Sequence, residues 1–240
     1  MQEELAGPST SDPECYIIVH NLAKKHNIGT LARSATAFNV AKICLVGSRH
    51  YNTFGSHGSA AHVPLAYFAS LDECCTWLRS KKGCAIVGIE ITEAAQAVNK
   101  HPFHGSTAFM LGNEGTGLSA AQLKLCDSFV YIPQHGQGTA SLNVTVATSI
   151  VLHHFAIWAG YQENSRHGFK FDVAEPPQRT APRGQVPLTD AEAQALKKLR
   201  QTSVSQDWLM ETEAKEHEAT ACQDSGQDGL LDTMFEEQDT

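Results

Sequence analysis

An α/β fold with a mostly parallel sheet is what this sequence predicts, and three observations predict it. Short apolar runs alternate with helix-patterned segments from about residue 14 to 162. The runs are continuous rather than alternating, as in strands buried on both faces. Two of them end in glycine-bearing loops, FMLGNEGTGLS (109–119) and IPQHGQGTASLNVTVATSIVL (132–152).

Taken in order, CYIIVHNL (15–22) reads as a buried strand because branched and aromatic residues follow one another without a break. In NIGTLARSATAFNV (27–40), Ile28, Leu31, Ala35 and Phe38 recur at helical spacing. KICLVG (42–47) is a second strand, followed by the polar, glycine-bearing loop 47–62. LDECCTWLRSKK (71–82) is a helix whose closing lysines suit its C-terminal dipole. CAIVGIEI (84–91), TAFMLG (107–112) and SFVYIP (128–133) are three further strands. Between the last two, SAAQLKLC (119–126) forms a short helix with Ser119 as N-cap. The longest helix runs from about Leu142 to Gly160, and its apolar residues, Val146 among them, surround enough of the cylinder to predict burial.

This divides the 240 residues into a flexible N-terminus (1–13), one α/β domain (14–165) and an appendage (166–240). Within the appendage, AEPPQRTAPRGQVP is a linker by its prolines, and Thr189 with Glu192 marks a capping box for a short helix near 189–200. From about 211 acidic and polar residues dominate and predict a largely disordered tail. The net charge of −8 is unevenly spread: residues 1–170 sum to +1 and residues 171–240 to −9. The acid therefore belongs to the tail and does not argue against a nucleic-acid partner for the domain. No apolar run is long enough to span a bilayer, and the polar, acidic N-terminus has neither a signal peptide's apolar core nor a transit peptide's arginines. A cytoplasmic or nuclear protein without a membrane partner is the expectation. The seven cysteines include no CxxC pair, so structural reduced thiols and no metal site are expected.

The loop 109–119 carries Gly112, Gly115 and Gly117, yet has Glu114 at its centre and no lysine after its last glycine. Three readings compete. A phosphate loop would need GKS, GKT or GxGxxG, and a carboxylate opposes it. A tight turn needs only the glycines' freedom at positive φ. The third reading is a ligand that is not strongly anionic, held by backbone groups and a carboxylate. The second loop follows its strand in the same way, with Gly136 and Gly138 and then Ser141, Leu142 and Asn143 opening a helix. Ser141 and Asn143 can serve as caps alone, or join a cleft built from two adjacent strand ends.

The stretches NLAKKHNIGTLARSATAFNV, FMLGNEGTGLS and YIPQHGQGTASLNVTVATSIV, in this order and at this spacing, resemble the three motifs of the SpoU/TrmH branch of the SPOUT RNA methyltransferases. The resemblance covers roughly residues 15–160. It implies an open α/β sheet whose C-terminal part is threaded into a trefoil knot, a homodimer, and S-adenosyl-L-methionine as methyl donor with S-adenosylhomocysteine as product. The implied reaction is methylation of a ribose 2′-hydroxyl in tRNA or rRNA. A sulfonium donor carries no phosphate, which suits a loop with Glu114 and no lysine.

The same resemblance implies roles. Asn27, Arg33, Glu114, Ser141 and Asn143 match the polar, catalytic positions of the motifs. A guanidinium stays protonated, so Arg33 is expected to bind the neighbouring phosphate and stabilise the developing alkoxide, with a water or phosphate oxygen taking the proton. The donor is expected against Leu111, Gly112, Asn113, Gly115, Ile132, Ser141, Leu142 and Asn143. Departures from the family pattern are Gln134 in place of a frequent methionine, one extra residue between Pro133 and Asn143, and Asn39 in place of a glycine. Asparagine tolerates the left-handed conformation such a turn needs.

The loop 49–62 is expected to face RNA, with Arg49, His50 and His57 as donors and Tyr51 and Phe54 as stacking faces, alongside Arg33. The acidic tail is expected to recruit a protein partner or to restrain nonspecific RNA binding. The rival reading from another class is a noncatalytic RNA-binding or assembly protein with the same fold. A dinucleotide oxidoreductase lacks its fingerprint.

Overall fold

The computed structural model describes residues 12–20, 26–52, 54–113, 115–178, 182 and 184–199, without the side chains of residues 26 and 27. Expectations for residues 1–11, Glu114, the Asn27 side chain and the acidic stretch from 211 lie outside the described residues. The chain divides into two compact units, residues 1–187 and 188–240.

In the first unit the elements follow the order β1 (Cys15–His20), α1 (His26–Ala37), β2 (Lys42–Val46), β3 (Leu65–Phe68), α2 (Leu71–Lys82), β4 (Ala85–Ile89) and β5 (Gln96–Ala97). Then come β6 (Thr107–Met110), α3 (Ala120–Leu125), β7 (Ser128–Tyr131) and α4 (Val144–Trp158), and a short antiparallel hairpin, β8 (Arg166–His167) with β9 (Lys170–Phe171). Seven strands form one sheet in the order β3-β2-β1-β6-β4-β7-β5. Every neighbouring pair is parallel.

The sheet separates two cores, and the two-residue period of its strands decides which side chain enters which. Ile17, Val19, Phe109 and Val130 meet α1 and α4 on one face, through Leu31, Ala35, Val151 and Phe155. Tyr16, Ile18, Cys44, Ile86 and Met110 meet α2 on the other, through Cys74, Cys75 and Leu78. Burial on both faces is why these strands read as continuous apolar runs. Phe155 centres an aromatic cluster, its ring 5.2 Å from Phe103, 5.8 Å from Phe109 and 5.4 Å from Trp158. The described cysteines are unpaired thiols, and burial pushes Cys75 up to about 11 and Cys84 and Cys126 up to about 12. These three stay protonated and act as small apolar side chains.

Local signals fall where the sequence puts them. Ser70 caps α2 by accepting from the Glu73 N–H, and Gly83 ends it in the left-handed region. Asn39 adopts φ 54°, the left-handed turn that asparagine tolerates. Thr189 and Glu192 close the expected capping box in the second unit, where residues 190–199 are helical. No described helix is long and apolar enough to cross a membrane.

Three features differ from the sequence reading. The two edge strands β3 and β5 are too short to stand out from their loops as apolar runs. The longest helix starts at Val144, because Asn143 is its cap, and it is not buried all round. Val146 and Ile157 are 48% and 55% exposed, since only the face bearing Thr145, Thr148, Val151, Leu152 and Phe155 meets the sheet. Finally, part of the proline-containing segment is packed rather than free. The Tyr51 N–H donates to the Gly184 carbonyl at 2.9 Å and the Val186 N–H to the Arg49 carbonyl at 3.0 Å. Val186 is only 4% exposed, within the core on the α1/α4 face. A Cβ on Gly184 would come within 2.7 Å of the Tyr51 carbonyl oxygen, so the strap needs glycine there.

Two stability measurements follow. Phe155→Ala should cost about 3–5 kcal/mol in chemical denaturation, the range for emptying a large aromatic site in a packed core. A chain ending after Phe171 should be about 1.5–3 kcal/mol less stable than one ending after Pro187, the amount that burying the Val186 side chain contributes.

Candidate functional site

The C-terminal ends of β4, β6 and β7 open into one cleft of about 250 Å³. Its walls come from Glu90 and Ile91 after β4, from Leu111, Gly112, Asn113, Gly115 and Gly117 after β6, and from Tyr131, Ile132 and Gln134 around the end of β7. Ser141, Leu142, Val144, Ala147 and Thr148 complete it at the start of α4. Strand ends of a parallel sheet gather such loops because every crossover returns the chain to the same edge. The two glycine-bearing loops therefore do share one cleft.

The loop after β6 is a tight, backbone-paired turn. Asn113 and Gly117 exchange two N–H···O bonds of 2.9 Å, and the Asn113 side chain accepts from the Gly115 N–H at 3.1 Å. A Cβ on Gly112 would lie 2.6 Å from the Gly117 carbonyl carbon. One on Gly117, at φ 65°, would lie 2.3 Å from a Glu90 carboxylate oxygen. Gly112 is thus required by its close approach to backbone, and Gly117 by its left-handed conformation. Glu90 holds the loop from the side: its carboxylate accepts from the Leu118 N–H at 2.8 Å and from its own neighbour, the Ile91 N–H, at 3.1 Å. Gln122, buried on α3, donates to the Leu111 carbonyl at 3.0 Å.

At the other wall, Asn143 accepts from the Thr145 and Val146 N–H groups at 3.0 and 3.4 Å and so caps α4. Its side chain holds the helix end in place; the cleft itself is lined by Ser141 and Leu142. The Thr139 hydroxyl donates to the Ser141 carbonyl at 2.8 Å, folding the exposed chain just before the cap. Among the described residues no lysine, arginine or histidine lines the cleft, whereas the Glu90 carboxylate does. Its electrostatics favour a neutral or cationic ligand over a phosphate.

Of the residues expected at the donor, Leu111, Gly112, Asn113, Gly115, Ile132, Ser141 and Leu142 line this cleft. Arg33 does not: it is exposed on α1. Its helix is tied to the cleft wall, because the Ser34 and Ser149 hydroxyls of α1 and α4 lie 2.7 Å apart. The loop 49–62 lies along the same helix: Thr36 donates to the Ser59 carbonyl at 3.1 Å, and Gly55 abuts Thr30. Arg33 and this loop thus belong to neighbouring structure. Within the loop, His50, His57 and Phe54 are exposed, Phe54 at 70%. Arg49 is engaged internally, its guanidinium 4.0 Å from the Tyr67 ring centroid and donating to the Pro187 carbonyl at 3.2 Å. Sequence reasoning missed Glu90 and Gln122 as parts of the site. An acid placed directly after AIVGI, and the Ser119-x-x-Gln122 spacing, were the available signals.

The sequence pattern of the SpoU rRNA Methylase family matches residues 14–153. Among curated relatives, the 23S rRNA (guanosine-2′-O-)-methyltransferase RlmB of Coxiella burnetii is 32% identical over 146 residues, 59% of this chain and 57% of that protein. RlmB of Acinetobacter baylyi is 27% identical over 148 residues, 60% of this chain and 59% of that protein. The chain thus spans under two thirds of the length of these relatives. Among solved structures, the SpoU methyltransferase AviRb from Streptomyces viridochromogenes, in complex with the cofactor AdoMet, superposes with a TM-score of 0.55 at 26% identity. That match covers 63% of this chain and 62% of AviRb. The A. aeolicus TrmH/SpoU tRNA modifying enzyme shares the fold, with a TM-score of 0.55 at 18% identity over 79% of this chain and 87% of that one.

The glycine geometry is directly testable. Gly117→Ala should lower stability by at least about 1–2 kcal/mol from the left-handed backbone alone. It should also quicken amide hydrogen exchange at Asn113 and Leu118. Gly138→Ala, with open space around it, should do neither.

Proposed function

This chain belongs to the SpoU rRNA methylase family, and we propose that it is an S-adenosyl-L-methionine-dependent methyltransferase acting on a ribose 2′-hydroxyl of tRNA or rRNA. The observation that carries the proposal is the cleft at the ends of β4, β6 and β7. It is lined by two glycine-bearing loops and, among the described residues, has a carboxylate and no cationic side chain in its wall. The residues fit the donor. Gly112 and Gly117 bring bare backbone to the cleft, Leu111, Ile132 and Leu142 offer apolar surface, and no basic group among the described lining residues opposes a sulfonium. When bound, the donor supplies a methyl group on positively charged sulfur and leaves as neutral S-adenosylhomocysteine.

The chain's own residues then have distinct tasks. The backbone of Leu111, Gly112, Ile132 and Leu142 holds adenine and ribose, with Asn113, Gly115 and Ser141 closing the loop walls. Asn143 fixes the start of α4 and Glu114 shapes the donor loop, while Asn27 supports the first motif. Arg33 binds the phosphate next to the target nucleotide and stabilises charge on the ribose oxygen, and a water or phosphate oxygen removes the proton. Much of the acceleration is alignment of hydroxyl and methyl, which can remove roughly 7–11 kcal/mol of barrier. His50, His57, Tyr51 and Phe54 present the RNA-facing loop, with Phe54 as the exposed stacking face. Arg49 contributes by holding that loop's base, given its contacts with Tyr67 and Pro187.

A homodimer belongs to the same reading. Val146, Ile150 and Ile157 recur at helical spacing on the side of α4 turned away from the sheet, with His153 among them, a largely apolar stripe suited to a two-fold contact. The likeness to SpoU and TrmH structures supports the trefoil knot in the C-terminal part of the domain. The acidic residues of the tail restrain nonspecific RNA binding or recruit a protein partner, supported by the −9 net charge of residues 171–240. Truncation after Pro187 that leaves both RNA affinity and partner binding unchanged would remove this last element.

Labelled methyl transfer from S-adenosylmethionine to total RNA, followed by digestion to nucleosides, tests the reaction. Wild type should place label in a 2′-O-methylated nucleotide, and Arg33→Ala should lower the rate at least about 100-fold. Donor binding without any transfer would instead favour the noncatalytic RNA-binding reading. Ile157→Asp should convert the dimer to a monomer in light scattering; an unchanged mass would argue against the α4 stripe as the interface.

A further inference from the structure

We infer that Gln122, which lies outside the residues matched to the motifs, is a positioning residue for the methyl donor, because its side-chain amide fixes the peptide that faces the cleft. This inference rests on the donor reading of that cleft.

Gln122 is a polar side chain only 4% exposed, and each end of its amide has a partner. Its carbonyl oxygen lies 3.0 Å from the Ser119 backbone nitrogen and 3.0 Å from the Ser119 hydroxyl, both of which donate to it. Its NH₂ donates to the Leu111 carbonyl at 3.0 Å. The first contacts make an ordinary capping box at the start of α3, reciprocated by the Gln122 N–H donating to the Ser119 hydroxyl at 3.3 Å. The last contact has no part in capping. It ties the helix to the first residue of the cleft loop.

The consequence follows from the planarity of the peptide bond. The Leu111 carbonyl and the Gly112 N–H sit on one rigid unit and point in opposite directions. The Leu111 N–H is also held, donating to the Ile18 carbonyl at 3.2 Å. With the carbonyl drawn to Gln122, the Gly112 N–H is turned the opposite way. Leu111 and Gly112 both line the cleft, and Gly112 passes so near the Gly117 backbone that no Cβ would fit between them. Glu90 fixes the far end of the same loop through the Leu118 N–H. A backbone donor set in advance loses no entropy when the ligand arrives, so the Gln122 contact contributes affinity without touching the ligand.

Glutamate tests this with little change in shape. Gln122→Glu keeps an oxygen to accept from Ser119 but removes the N–H that holds Leu111 and sets two acceptors against each other. At about pH 8, where the carboxylate is ionised, S-adenosylhomocysteine binding measured by calorimetry should weaken about tenfold or more. Toward about pH 5 burial keeps a growing fraction of the new side chain protonated, so its O–H can donate to Leu111 and binding should recover. Wild type should show no such recovery. Ser119→Ala is the control: it cuts the capping box but spares the Leu111 contact, so it should lower the denaturation midpoint while leaving binding within about twofold. Should Gln122→Glu prove unfolded, Gln122→Met, matched in length and apolar, replaces it and should weaken binding without recovery at low pH.

Wild-type affinity in both Gln122 variants, or equal losses from Ser119→Ala and the Gln122 variants, would overturn the positioning role while leaving the donor reading intact. A wild type that binds no S-adenosylhomocysteine would overturn both.

Discussion

Backbone meets backbone where Gly112 passes Gly117, at a separation that leaves no room for a Cβ on Gly112. The rest of the site depends on that close pass. It closes the loop after β6 into a turn paired through Asn113 and Gly117, and so aims peptide groups rather than side chains at the cleft. Such a turn has little internal rigidity, and the fold supplies it from outside. Ile18 and Gln122 hold Leu111 at the entry, and Glu90 holds Leu118 at the exit. The parallel sheet makes this possible by bringing the ends of β4, β6 and β7 side by side, with α3 packed where Gln122 can reach back.

Charge decides what such a cleft accepts. Phosphate-binding loops combine exposed N–H groups with a lysine or arginine, whereas the described lining of this cleft offers backbone and a carboxylate with no basic side chain. The basic and aromatic groups lie elsewhere, on α1 and the 49–62 loop, where Thr36 and Thr30 dock the loop against the helix that carries Arg33. In the proposed function donor and RNA thus have separate surfaces, linked through the Ser34–Ser149 contact between α1 and α4. In the proposed mechanism that link keeps the arginine in register with the cleft.

Much of this was legible in the sequence, for physical reasons that also mark where legibility ends. Strands buried on both faces announce themselves as continuous apolar runs, so β1, β2, β4, β6 and β7 were readable. The caps at Ser119 and Thr189 and the left-handed Asn39 follow from local chemistry and were readable too. The edge strands β3 and β5 were not, because a two- to four-residue strand takes its identity from its neighbour. Nor was the exposed face of α4: Val146 and Ile157 are as apolar as the residues on its buried face, and only packing separates them. Glu90, Gln122 and the Gly184–Val186 strap escaped for a shared reason. Each acts across a long sequence separation, Gln122 on Leu111 and Val186 on Arg49, and no local pattern encodes such a contact. Asn143 shows the middle case, where the cap was foreseen as one of two roles and the structure displays the cap.

The central claim is that the two glycine-bearing loops hold the methyl donor. It is tested most directly by following backbone amide resonances of the isotopically labelled full-length chain while S-adenosylhomocysteine is added. Saturable shifts concentrated at Leu111–Gly117, Ile132 and Ser141–Leu142 are expected, with no comparable response to ATP or NADH. Shifts centred away from these loops, or an equal response to the phosphate-bearing nucleotides, would contradict it.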